Sequence, residues 1–165
     1  IKLLATSRKV GDQYYAMVSP VMIDAKNPLY SVNGVFNAIF IHGNVLGDSM
    51  FYGSGAGKLP TASAVVADVV DCAKNKGRNI MMSWSEEKLD LLQIDDVKSR
   101  FFVRVSGHAA ERQSEIEELF GKVEIVAVPS LSEEFAFITG EITEQEYREK
   151  AEKLDGIQSR IRARI

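Results

Sequence analysis

The chain has 165 residues, of which 45% are apolar and 26% charged, with a formal net charge of −3. This is the composition of a globular chain long enough for one ordinary domain or two small ones, and it excludes wholesale disorder. The slight acidity argues against a surface built for nucleic acid or anionic membranes, and no apolar run approaches the roughly 18 residues of a membrane span. The single Cys72 permits neither an internal disulfide nor a cysteine-rich zinc site, which suits a reducing cytoplasm.

The chain opens at Ile1 in what already reads as the interior of a strand or helix, so the expectation is a piece of a longer protein. Gln13–Val18 and Val35–Ile41 are rich in β-branched and aromatic residues and read as strands. Val45–Tyr52 follows the second across His42-Gly43-Asn44, giving a hairpin. A glycine cluster, Gly53-Ser54-Gly55-Ala56-Gly57, precedes Pro60-Thr61, a helix start. Ala62, Val65, Val66, Val69 and Ala73 then form the stripe of an amphipathic helix over 62–76, closed by Asn75-Lys76-Gly77. Ser83–Lys98 carries Trp84, Leu89, Leu91, Leu92 and Ile94, too apolar for a free linker, and is expected to pack against a neighbouring unit.

Beyond residue 99 the composition shifts from Val, Ala, Asn and Gly towards Glu, Arg and Ile. Phe101, Val103 and Val105 alternate with polar or aromatic residues in a strand, and Ala110–Gly121 places Ile116, Leu119 and Phe120 on one helix face. Val123–Val128 and Phe135–Thr139 read as paired strands. Thr143-x-x-Glu146 is a capping box opening a second helix that stops at Gly156. Ile157, Ile161 and Ile165 alternate with Arg160, Arg162 and Arg164, so the isoleucines are expected beneath the helices and the arginines on the opposite face, balanced by Glu124. The order βαββαβ is the ferredoxin-like arrangement. The fold class is therefore α+β: a mainly β first part with one long helix, then a βαββαβ unit.

The glycine cluster is the one phosphate-loop candidate, since N–H groups without a Cβ in the way approach anions closely at a helix start. It matches neither G-x-G-x-x-G nor the P-loop spacing, and by itself reads first as a structural turn. His42 and His108 are isolated from further ligands, so no metal site is expected. Cys72 reads as a small buried hydrophobe, and Asp48, Asp68 and Asp71 as solvated acids without a nucleophile to serve. The strand Glu133-Glu134-Phe135-Ala136-Phe137-Ile138-Thr139 lacks the basic-glycine lead of an RNA-recognition module, which disfavours RNA binding.

Asn27-Pro28-Leu29-Tyr30-Ser31-Val32-Asn33-Gly34-Val35-Phe36-Asn37-Ala38 resembles the substrate domain of homoserine dehydrogenases. The resemblance continues through Met50-Phe51-Tyr52-Gly53-Ser54-Gly55-Ala56-Gly57-Lys58-Leu59-Pro60-Thr61-Ala62-Ser63-Ala64-Val65-Val66, with Ser54 where the family has proline. It covers about residues 1–77, and 100–165 looks like the ACT regulatory domain that many bacterial members carry, with 78–99 connecting the two. The family interconverts aspartate 4-semialdehyde and homoserine with NAD(P)(H), on the route to threonine, methionine and isoleucine. The resemblance implies that Gly57, with Gly55 and Thr61 beside it, lines the dinucleotide site. It places the reacting lysine and aspartate upstream of Ile1, so no catalytic residue is expected here and this chain alone is expected to be inactive.

In ACT domains a Pro-Gly-Val-Leu-like turn after the first strand takes an amino acid against backbone groups. Here that turn is Gly107-His108-Ala109-Ala110, a departure from the pattern; Gly107 and His108 are the effector positions for a small amino acid such as threonine, and subunit contact is the other role the resemblance implies. A homodimer or higher homo-oligomer is expected, without nucleic acid or membrane. The alternative is a stand-alone amino-acid-binding module without catalytic activity.

Overall fold

A computed structural model of the chain describes residues 1–78 and 82–165. Contacts divide it into two units, residues 1–24 with 88–165, and residues 25–87.

In the first unit, β1 (Lys2–Val10) and β2 (Gln13–Ile23) form an antiparallel hairpin from Lys2↔Val21 to Val10↔Gln13. The rest runs β5 (Lys98–Ser106), α2 (Ala109–Phe120), β6 (Glu124–Val126), β7 (Glu134–Ile138), β8 (Ile142–Thr143), α3 (Glu144–Ala151) and β9 (Ile157–Arg164). The sheet order is β1-β2-β9-β5-β7-β6, with β8 on the end of β5. Strands β9, β5, β7 and β6 are antiparallel neighbours, which is the βαββαβ arrangement read from the sequence.

The core lies between that sheet and its helices. Phe101, Val103 and Val105 of β5 and Phe135 and Phe137 of β7 alternate inward, against Ile116 and Phe120 of α2, Tyr147 of α3 and Leu154. Ring centroids stand 4.6 Å apart for Phe101–Tyr147 and 5.2 Å for Phe120–Phe137, both tilted, in the range where aromatic pairs attract beyond simple burial. The capping box forms as expected: Glu146 N–H donates to Thr143 Oγ1 at 3.1 Å, and Thr143 N–H to Glu146 Oε2 at 2.8 Å.

Contacts group the N-terminal hairpin with residues 88–165. Val21–Ile23 pair in parallel with Arg162–Arg164, so this hairpin extends the βαββαβ sheet. Two expectations for β9 are corrected. First, Ile161 does not lie beneath the helices. Arg104 faces Ser159 while Val105 faces Ile157, a bulge that leaves Gln158 without an opposite number and turns over every residue after it. Ile157 keeps the helix side, but Ile161 pairs with Phe102 on the open side, whereas Arg160 and Arg162 pair with Val103 and Phe101 above the core. Second, their counter-ion is Glu144, not Glu124, which stands 3.6 Å from Arg100. The segment before β5 is attached at Leu91, which bridges Tyr14 of β2, and at buried Val97 after a 3-10 turn over Ile94–Asp96, but Trp84, Leu89, Leu91 and Ile94, expected to pack, are exposed.

The second unit holds β3 (Phe36–Gly43), β4 (Gly47–Ser54) and α1 (Lys58–Lys74). The hairpin registers Phe36↔Ser54 through Gly43↔Gly47, and the Phe36 and Tyr52 rings stack at 5.0 Å. Ile39, Ile41 and Phe51 lie exposed on one of its faces and Phe36, Met50 and Tyr52 on the other. Helix α1 begins four residues before Ala62 and has no buried residue, so Val65, Val66 and Val69 face outward instead of into a core. Cys72 is exposed for the same reason, not buried as its residue type suggested.

Candidate functional site

Hairpin β3–β4 delivers the chain into the glycine turn, and α1 carries it away. Gly57 is the N-cap of α1 with φ +113° and ψ 155°, a backbone conformation that a side chain strains. Its carbonyl accepts the N–H of Thr61 at 3.1 Å, and it offers no side-chain cap. The N–H groups of Lys58 and Leu59 have no acceptor within the helix, and Pro60 has no N–H to offer. Gly55 is glycine for a different reason: a Cβ there would stand 2.2 Å from Asn37 Nδ2, forcing that side chain of β3 aside. Gly55, Gly57 and Thr61 are thus gathered on one exposed turn, with the residues of the turn open and not buried against their own hairpin. Such a turn presents backbone donors and the positive end of a helix to an anion.

Gly107 and His108 occupy the corresponding junction in the first unit, between β5 and α2. Gly107 has φ +104°, and its N–H donates to Glu133 O at 2.8 Å. A Cβ on it would stand 3.1 Å from Arg112 Cδ. His108 is the N-cap of α2 and caps it through no side-chain bond; its carbonyl accepts from Glu111 N–H at 3.1 Å and Arg112 N–H at 3.2 Å. A cleft of about 260 Å³ opens here, lined by Gly107, His108, Ala109, Pro129, Ser132 and Glu134 among others. The Glu134 carboxylate is clamped by Arg104 Nη2 at 2.6 and 2.8 Å. A cleft with amide donors at one side and a carboxylate at another suits a small zwitterion.

His42, read as a solvated turn residue, lies in β3, where Asp48 of β4 is directly opposite and its Oδ1 sits 2.5 Å from His42 Nδ1. Both side chains are exposed, and no cluster of metal-ligating residues occurs among the described residues. The arrangement that sequence reasoning missed is the ion cluster over the core. Glu144 Oε2 accepts from Arg160 Nη1 at 2.8 Å and Oε1 from Arg162 Nη2. The Arg160 guanidinium lies 4.6 Å from the Tyr147 ring centroid and 5.2 Å from that of Phe101. Burial pushes the Tyr147 phenol above its ordinary pKa, with Arg160 opposing and Glu144 adding. No sequence pattern signals this, because the bulge inverts the alternation.

An α+β chain with this sheet order and this glycine turn has counterparts among dehydrogenase structures. A homoserine dehydrogenase from Thiobacillus denitrificans superposes with a TM-score of 0.77 at 25% identity, over 99% of this chain and 42% of that one. The family model for homoserine dehydrogenase matches residues 1–70. The homoserine dehydrogenase of Lactococcus lactis is 40% identical over 108 residues, or 64% of this chain and 25% of the relative. That of Corynebacterium glutamicum is 48% identical over 81 residues, or 46% of this chain and 18% of the relative. Residues 1–70 are therefore similar to homoserine dehydrogenases, and the whole chain has the fold of part of such a structure. The chain spans about a quarter of the length of the first of these relatives.

Proposed function

We propose that this chain is the C-terminal portion of an NAD(P)-dependent homoserine dehydrogenase, which reduces aspartate 4-semialdehyde to L-homoserine. Residues 1–77 would end its substrate and dimerisation domain, and 100–165 would form an ACT domain for amino-acid feedback or subunit association. The observation that carries this reading is the open glycine turn with its left-handed Gly57, lying inside the stretch that the family model matches.

The turn fits a dinucleotide, because Gly57 has no Cβ and the first-turn N–H groups of α1 are uncapped. The nicotinamide, when bound, supplies the hydride. These residues contribute one wall: Gly57 and Gly55 allow close backbone approach, and Thr61 stands at the start of α1 beside them. The groups that bind the substrate amine and protonate the carbonyl oxygen are assigned to the parent protein, so the chain alone turns nothing over. In the first unit, the cleft at Gly107 and His108 supports a small amino acid such as threonine, its carboxylate towards the α2 N-terminus and its ammonium towards Glu134.

Two measurements test the enzyme reading. The isolated chain should show no semialdehyde reduction; detectable turnover would refute the division of labour. In the full-length parent, Gly57→Ala should raise KM for NAD(P)H about tenfold or more, since a hydrogen bond to a charged group is worth ~1.5–3 kcal/mol. Gly53→Ala is the control, because a Cβ there meets open space. Equal KM values for the two variants would remove Gly57 from the nucleotide site.

A further inference from the structure

The chain leaves the first unit after Asp24 and re-enters it at Lys88. The exit is the end of β2, where Val21, Met22 and Ile23 pair with Arg162, Ala163 and Arg164 of β9. The re-entry is held in three places. Tyr14 N–H donates to Asp90 O and Leu92 N–H to Tyr14 O, both at 2.8 Å. Asp95 is ion-paired with Arg148 of α3. Val97, buried to 2% exposure, accepts the N–H of Glu144 at 3.2 Å.

Glu144 is the first residue of α3, and it is 5% exposed. Its backbone thus holds the re-entry, while its carboxylate holds Arg160 and Arg162 of the strand that grips the exit. The two arginines differ in their freedom: Arg160 lies over the Phe101 and Tyr147 rings and is partly exposed, whereas Arg162 is more covered, with its Nε buried and without an acceptor among the described residues. Loss of the carboxylate would leave both guanidinium groups without their shared counter-ion, most costly at the more covered Arg162.

We propose that Glu144 is a coupling residue that clamps both chain crossings leading to residues 25–87, so that loosening one loosens the other. Helix α3 is the body that transmits the change. It is tied to α2 by Lys150 Nζ donating to Leu119 O at 2.8 Å, and to the re-entry by Arg148. The clamp lies outside both the glycine turn and the Gly107 cleft, and stands whether or not either takes a ligand.

Residue-resolved hydrogen exchange on the 165-residue chain tests it. Glu144→Gln should speed exchange at least tenfold at Val21–Ile23 and Arg162–Arg164, and equally at Asp96 and Val97. The core strands at Val103–Val105 and Phe135–Phe137 should change less than threefold. Acceleration at one crossing only, at neither, or uniformly through the core overturns the proposal. Arg162→Met keeps the apolar stem and serves if the first variant does not fold. It should speed exchange at Asp96 and Val97, which Arg162 does not touch, and unchanged exchange there overturns the proposal equally.

Discussion

Thr143 and Glu146 show how a pair three residues apart fixes a helix start. The backbone N–H of Thr143, donating to Glu146, holds that carboxyl below its ordinary value against the opposing effect of desolvation, with the Thr143 side-chain bond and Lys150 and Lys98 assisting. A lowered folded value means that this stabilisation is complete above the unfolded carboxyl's 4.5 and is lost as pH falls through the lower folded value. The stability gap between the native chain and Glu146→Gln should therefore narrow on acidification, as measured by thermal unfolding across that window; a constant gap would discard the cap as its source. Tyr147 has the opposite sign. Its raised value gives a contribution present below the unfolded phenol's 10.0 and lost as pH rises through the higher folded one, a decline that Tyr147→Phe should lack. The capping box was legible because its geometry is local. The Glu144 cluster was not, because its members are brought together by β9 crossing α3.

Among the elements, β9 separates pattern from placement. Its alternation of isoleucine and arginine predicts two clean faces, but Gln158 bulges, its Nε2 donating to Ser106 Oγ at 2.6 Å, and the faces exchange from Arg160 onward. Deletions distinguish the two readings. Removing Gln158 takes out the one unpaired residue, so Arg160 and Arg162 keep their places and the cost should be about 1 kcal/mol for the lost hydrogen bond. Removing Ile161 turns Arg162 away from Glu144 and should cost about 3–5 kcal/mol, the penalty for breaking a buried pair. Urea unfolding compares them, and equal losses would dismiss the bulge as the cause. Helix α1 gives the complementary lesson. Its 3.6-residue periodicity correctly marks a helix, but periodicity identifies a face meant to be covered and does not say by what. Val65, Val66 and Val69 remain exposed among the described residues.

At the scale of the molecule, the two units differ in how far they satisfy themselves. The first has a closed aromatic core. In the second, a two-stranded ribbon and one helix expose large apolar residues on every face, an arrangement of marginal stability in water by itself. On the proposed reading these surfaces are covered in the parent enzyme by its nucleotide-binding part and by a second subunit. The isolated chain should therefore run as a dimer or larger species in sizing chromatography, and Phe51→Asp should shift it towards monomer. A well-behaved monomer at all concentrations would count against subunit pairing through this unit.

The sequence by itself determined the local elements, the βαββαβ order, the capping box and the family likeness of the first 70 residues, since each is written in neighbouring residues or in a long ungapped stretch. Only the tertiary structure decided that β2 joins β9 across about 140 residues of chain, that the arginines face the core, and that Glu144 meets both crossings. Parallel pairing between distant strands leaves no local signature, and one extra residue in a strand reverses its faces without altering its composition.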